Sequence, residues 1–338
     1  MDGIIVEGVK RSFGSVHAVR DATFHAHAGK ITGLVGPNGA GKTTLLLMLA
    51  SLLAPDAGTI RLAGVDPVAD PASARRMLGW MPDSLGAWPS LTAHESVEVA
   101  ARLYGMTASQ ASQRADQLLA QVGLHELAAT PARVLSRGQK QKLGLARALV
   151  HDPRVLLLDE PASGLDPRAR IELRELLRDL AARGCTVLLS SHVLSELDEM
   201  ADDAVFLVDG AVVTSDTSRV RHRYRIRMLA DPAVPHSRNQ PGSPHDVAEV
   251  ARVLGQPAAA GQSGSVTVDF ADDHEAAVAL RTLVQAGVAV TEFSPAGNRL
   301  EDTFMALQSS ASPRQESGDQ PGQQLGQHVA ATDEEVQK

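Results

Sequence analysis

The chain has 338 residues, 43% of them hydrophobic, and a net charge of −8. Its length predicts about two domains and its composition a packed core; the negative balance argues against general nucleic-acid binding, which relies on Lys and Arg displacing counterions from phosphates. The one cysteine, Cys185, excludes a disulfide framework and points to a reducing compartment and a packing role.

Residues 1 to about 30 read as short strands and turns, and with Asp2 and Glu7 there and no long apolar segment, no secretory signal is expected. Ile31 to Val35 reads as an apolar strand and Thr44 to Leu53 as a helix. Between them runs Gly36-Pro37-Asn38-Gly39-Ala40-Gly41-Lys42-Thr43. The spacing Gly-x4-Gly-Lys-Thr between a strand and a helix is that of a phosphate-binding loop. Glycines let the backbone approach an anion, and the opening turn of the helix adds unpaired donors and the positive end of its dipole. Lys42 would neutralise the β- and γ-phosphates and Thr43 would hold Mg²⁺, with Thr44 completing the nucleotide-binding set. The longest apolar run, Leu45 to Ala54, is about half of a membrane-spanning helix.

Thr59 to Leu62 reads as another short strand, and about 84 to 134 as mostly helical. Ser96 to Tyr104 and Ala111 to Val122 there carry apolar residues at helical spacing, with Thr92 as a cap. Leu135-Ser136-Arg137-Gly138-Gln139 precedes a helix from Lys140 to Val150; a serine hydroxyl, a glycine amide and a helix start again suit an anion. Val155 to Leu158 is a continuous apolar strand ending in Asp159 and Glu160, which would serve Mg²⁺ and the attacking water, or would simply be solvated acids. A helix from Arg168 to Arg183 leads to the strand Thr186 to Leu189, after which His192 falls at the same sheet edge. The alternation predicts an α/β fold with a parallel sheet flanked by helices.

Composition changes after Ser218. Arg219 to Leu229 alternates basic residues with the period of a strand, read as an edge strand guarded by charge, with acidic lipid or a partner subunit as lesser options. A loop or linker at 231–245 follows, then a helix at Val247 to Leu254, a strand at Val266 to Phe270, a helix at Glu275 to Gln285, a strand at Val288 to Phe293 and a terminal helix at Leu300 to Leu307. Residues 309–338 are too polar to offset their ordering entropy and read as a disordered tail.

The order of these motifs resembles the ATP-binding subunit of ABC transporters over about residues 3 to 215. Gly36 to Thr43 match the Walker A loop, Leu135 to Gln139 the signature, Val155 to Glu160 the Walker B strand, Ser163 to Asp166 the D-loop and His192 the switch histidine. The resemblance implies a P-loop NTPase core of ABC type with an N-terminal β-subdomain and a helical subdomain at about 84–134, together 1–218, then a small α+β accessory domain at 219–308. It further implies ATP and Mg²⁺ as cofactors and a head-to-tail homodimer in which each ATP lies between one subunit's Walker loops and the other's Ser136, Gly138 and Gln139. It places Phe13 on adenine, although a lone aromatic is equally a core residue. Two positions depart from the pattern: Arg137 where the signature usually has glycine, and Asp83 where the Q-loop usually has glutamine. An anion at 83 would bind Mg²⁺ or repel the phosphates.

The small domain, with Leu300-Glu301-Asp302-Thr303-Phe304 at its end, resembles the extension of drug-resistance exporter subunits. The expected protein is therefore a cytoplasmic ATPase, peripheral at the inner face of the cell membrane, energising export of a drug, antibiotic or lipid-like cargo through a separate permease. The alternative is a soluble ATPase of the same type acting on ribosomes or DNA. One nucleotide-binding unit, no long heptad insertion and the acidic balance weigh against it.

Overall fold

The computed structural model describes residues 3–83, 90–213, 222–229, 244–261, 264–271 and 273–296. The expected terminal helix at 300–307 and the tail at 309–338 lie outside them, as do residues 84–89 of the helical segment, 219–221 of the basic strand and 231–243 of the linker.

The chain starts with two long strands, β1 (Ile4–Phe13) and β2 (Val16–Ala26), paired antiparallel. Short strands and turns were expected here, but both strands run through register shifts in their pairing, between Val6 and Val9, Val9 and Arg11, and Arg11 and Ser12, that interrupt the alternation of buried and exposed residues. β3 (Ile31–Val35) leads through the glycine loop into α1 (Lys42–Leu49), then β4 (Ala57–Leu62), which pairs with β1. Next come α2 (Pro71–Met77), with Asp70 accepting from the Ser73 amide at its start, and β5 (Leu78–Met81). The sequence reading missed this pair because neither is long enough to show a period.

The helical part consists of α3 (Ala93–Leu103), α4 (Ala108–Gln121) and α5 (Arg137–Ala148). Each begins with a reciprocal cap: Thr92 with Glu95, Thr107 with Gln110, Ser136 with Gln139. That last cap starts α5 three residues before the expected Lys140. β6 (Val155–Asp159), α6 (Pro167–Ala182), β7 (Thr186–Ser191), α7 (Leu194–Met200), β8 (Asp203–Val208) and β9 (Ala211–Val213) complete the larger unit.

Its nine-stranded sheet runs β4-β1-β2-β9-β8-β3-β7-β6-β5. From β8 to β5 every pairing is parallel. The central strands are covered on both faces, which accounts for their unbroken apolar runs. Successive residues of β6 feed different cores: Leu156 and Leu158 pack with the helical part, Val155 and Leu157 with α1, β1 and β2. Cys185 is buried, and burial pushes its thiol up to about 12, in keeping with packing rather than reactivity. Among the described residues no helix is long and apolar enough to cross a membrane.

A second sheet, in the order β11-β12-β10-β13, is built from β10 (His222–Met228), α8 (Pro244–Leu254), β11 (Ala258–Ala260), β12 (Val266–Phe270), α9 (Asp273–Gln285) and β13 (Val290–Pro295). Ile226, Val250, Val268, Phe270 and Leu283 form its core. The basic strand is interior to this sheet, paired on both sides, so the edge-strand reading is corrected. Its arginines are balanced by neighbouring strands: Arg223 meets Asp269 at 2.8 Å and Arg227 meets Glu292 at 3.3 Å.

Leu157 is fully buried in β6. Leu157→Ala should cost about 2–5 kcal/mol. Urea unfolding followed by circular dichroism should show a lower midpoint at an unchanged slope.

Candidate functional site

The carboxyl ends of β3, β6 and β7 open on one cleft of about 470 Å³, lined by Asn38, Gly39, Gly41, Lys42, Thr43 and Thr44, by Asp159, Glu160, Ser163 and His192, and by Val16, His17, Ala18, Asp83 and Arg137. The glycine loop wraps its end tightly for steric reasons. Gly41 has φ +101°, and a Cβ on it would meet the Ala18 carbonyl oxygen at 2.2 Å. A Cβ on Gly36 would meet the Leu207 carbonyl at 2.4 Å. Ala40 is buried and its amide closes a turn onto the Pro37 carbonyl at 3.2 Å. No side chain caps α1, unlike α3, α4 and α5, so its first amides stay available to an anion.

Lys42 is nearly buried and folds back onto the loop, donating to the carbonyls of Gly36 at 2.7 Å and Pro37 at 3.1 Å. Desolvation lowers its pKa, opposed by the nearby charges of Glu160 and Asp159. These carbonyls occupy the ammonium where phosphate oxygens would otherwise serve it. Asp159 is buried and held from two sides, accepting from Ser190 Oγ at 2.5 Å and Thr43 Oγ1 at 3.2 Å.

Glu160 follows directly, at φ +53°, a left-handed backbone that a glutamate adopts only when its surroundings enforce it. Ser190 takes its amide through both carbonyl and hydroxyl at 3.2 Å, and Gln141 and the Ser163 amide donate to its carbonyl at 3.4 and 3.1 Å. Its carboxylate is 17% exposed and lies 2.7 Å from His192 Nδ1. Burial raises its pKa above the ordinary value, an effect the His192 contact reduces. The cleft thus holds a buried carboxylate beside a hydroxyl, a second carboxylate of raised proton affinity steered by an imidazole, and a cationic amide cradle. That set suits a nucleoside polyphosphate with a divalent cation and an attacking water.

The expected residues divide between the cleft and its surroundings. Phe13 is 48% exposed, which removes the core alternative, and its ring lies 4.8 Å under the Arg11 guanidinium. Ser136, Gly138 and Gln139 lie outside the cleft lining; Ser136 and Gln139 are exposed and half-buried and cap each other. Asp83 lines the cleft and faces Arg137. Sequence reasoning missed Ser190 and Gln141, whose partners are 31 and 19 residues away, and the cleft wall Val16 to Ala18. The seryl end of β7 was the one available signal for Ser190.

A family model described as ABC transporter matches residues 19–163. An uncharacterized ABC transporter ATP-binding protein of Bacillus subtilis is 39% identical over 207 residues, covering 61% of this chain and 68% of that relative. The daunorubicin resistance ATP-binding protein of Streptomyces coeruleorubidus is 36% identical over 215 residues, covering 64% and 68%. The fold is similar to that of a solved dimeric ATP-binding cassette in a post-hydrolysis state, bound to ADP and phosphate, at a TM-score of 0.58 and 25% identity over 62% of this chain and 97% of that one.

A raised Glu160 pKa means the fold favours its protonated form, so ionised Glu160 costs stability as pH rises from the ordinary 4.5 through the raised value. Glu160→Gln should therefore raise the thermal midpoint of the nucleotide-free protein at neutral pH, with the gain vanishing below that ordinary value. Differential scanning calorimetry across pH checks this; a pH-independent gain would rule out ionisation as its cause.

Proposed function

This chain belongs to the ATP-binding proteins of ABC transporters, which are ATPases, and from that premise we propose that it energises export through a separate membrane permease. The cargo would be a drug, an antibiotic or a lipid-like molecule, and the chain would sit at the inner face of the cell membrane, docked on its permease. Kinship with a daunorubicin resistance protein supports the export direction. The observation that carries the reading is the convergence of the glycine loop, Lys42, Asp159, Glu160 and His192 on one cleft.

In this reading the loop from Gly36 to Thr43, with Thr44, binds the phosphates through its amides. Lys42 moves from its own carbonyls to the β- and γ-phosphate oxygens. Thr43 and Asp159 would hold Mg²⁺: a hydroxyl and a carboxylate 3.2 Å apart are hard oxygen donors of the kind that ion takes. Such an ion would neutralise charge on the phosphate oxygens. Asp83 lines the same cleft, its carboxylate 3.9 Å from the Arg137 guanidinium.

Glu160 takes the proton of the attacking water, and its raised proton affinity matches that task. His192 keeps the carboxylate oriented through the 2.7 Å contact. Phe13 offers an exposed ring to the adenine. Ser136, Gly138 and Gln139, outside their own cleft, would complete the cleft of a second copy.

Glu160→Gln should lower phosphate release at least about a hundredfold while ATP is still retained. Unchanged turnover would exclude Glu160 as the base. Chains carrying Ser136→Ala and Lys42→Ala, each inactive alone, should recover activity on mixing, because a mixed dimer holds one intact site; no recovery at any ratio would argue against shared sites.

A further inference from the structure

Asp83 and Arg137, the two positions that depart from the family pattern, are 54 residues apart in sequence yet meet in the fold. Arg137 Nη1 and Nη2 form the fork of a side chain whose Nη2 lies 3.9 Å from Asp83 Oδ1 and donates to Ser163 Oγ at 2.7 Å. The stem of Arg137 runs over Gly164, where a Cβ would come within 2.9 Å of Arg137 Cδ. Ser163 and Gly164 thus anchor the arginine from below, and its charged end faces the cleft that Lys42, Thr43, Asp159 and Glu160 also line.

The pairing with Asp83 is loose. At 3.9 Å, with side chains 68% and 52% exposed, such an ion pair contributes little. A guanidinium has five donors in a planar fork and binds two phosphate oxygens better than one distant carboxylate oxygen. Arg137 also stands at the Glu160 end of the cleft, because its anchor Ser163 donates its amide to the Glu160 carbonyl.

We propose that Arg137 is a second phosphate-binding cation of its own subunit's cleft, held by Asp83 when no nucleotide is bound and transferred to the terminal phosphate of a nucleoside triphosphate. This rests on the nucleotide reading of the cleft and adds discrimination between triphosphate and diphosphate. It differs from the role of the neighbouring Ser136 and Gly138, which reach a second copy. Asp83 is then a counter-charge that competes with the ligand.

The test is calorimetric titration with a non-hydrolysable ATP analogue and with ADP, in Mg²⁺, at chain concentrations where light scattering shows a monomer. Arg137→Gln should weaken the ATP analogue about tenfold and leave ADP within about twofold. Asp83→Asn should tighten the ATP analogue a few-fold, and only when Arg137 is present. Equal losses for both nucleotides, no loss, a loss confined to dimer-forming conditions, or an Asp83→Asn effect that persists in Arg137→Gln would overturn the proposal alone. Wild-type protein binding neither nucleotide would sink the nucleotide reading with it.

Discussion

The cleft depends on the register of three parallel strands. Asp159 of β6 pairs with Ser190 of β7, and Ser191 of β7 with Val35 of β3, so all three strands end at one level. The glycine loop, Glu160 and His192 leave the sheet from that level and have no choice but to be neighbours. Side chains alternate across a strand, so a slip of β6 by one residue would exchange Leu158 with Asp159 and put the carboxylate into an apolar core. The 2.5 Å bond from Ser190 to Asp159 ties the register to the chemistry. A buried carboxylate without such partners would cost several kcal/mol.

Around that level the protein holds conformations that would be unfavourable elsewhere. Gly41 and Glu160 both have positive φ; at Gly41 a side chain would also collide with the Ala18 carbonyl, so only glycine fits, and at Glu160 bonds with Ser190, Gln141 and Ser163 fix the backbone from three directions. Lys42 is kept in place by main-chain carbonyls before any phosphate arrives. Lys42 has only to exchange those carbonyls for phosphate oxygens, while the loop amides and the Glu160 carboxylate are already placed when charge develops on a phosphoryl group, which is where an electrostatically preorganised site gains its rate. The strain at Glu160 is sustained by the same sheet edge that aims its carboxylate at His192.

What could be read in the sequence was local. Strand, glycine loop and helix lie within twenty residues, and Asp159 and Glu160 end a run of leucines, so spacing alone placed them at a sheet edge. Ser190 escaped notice because a seryl strand end is its one local mark and does not show what its hydroxyl bonds; its partner belongs to another strand. The basic strand from Arg223 to Arg227 was misplaced for the same reason. Its alternating charge resembles that of a guarded edge, and the acids that make an interior position tolerable, Asp269 and Glu292, are 46 and 65 residues away. α2 and β5 were missed for a different reason: seven and four residues are too few for either period to declare itself.

The start of α5 combines a structural and a functional demand at small energetic cost. Ser136 and Gln139 bond reciprocally, a cap whose loss costs about 1 kcal/mol. A phosphate arriving from a second copy would compete for that same Gln139 amide with charge-assisted hydrogen bonds, about twice as strong as neutral ones. The cap therefore keeps an exposed helix start folded in the single chain and yields to a charged ligand without unravelling it. Arg137, next in sequence, is tied down by Ser163 and Gly164 and points the other way, into its own cleft. One helix terminus would in this way serve two nucleotides, its serine cap answering a second copy and its guanidinium the cleft of its own chain.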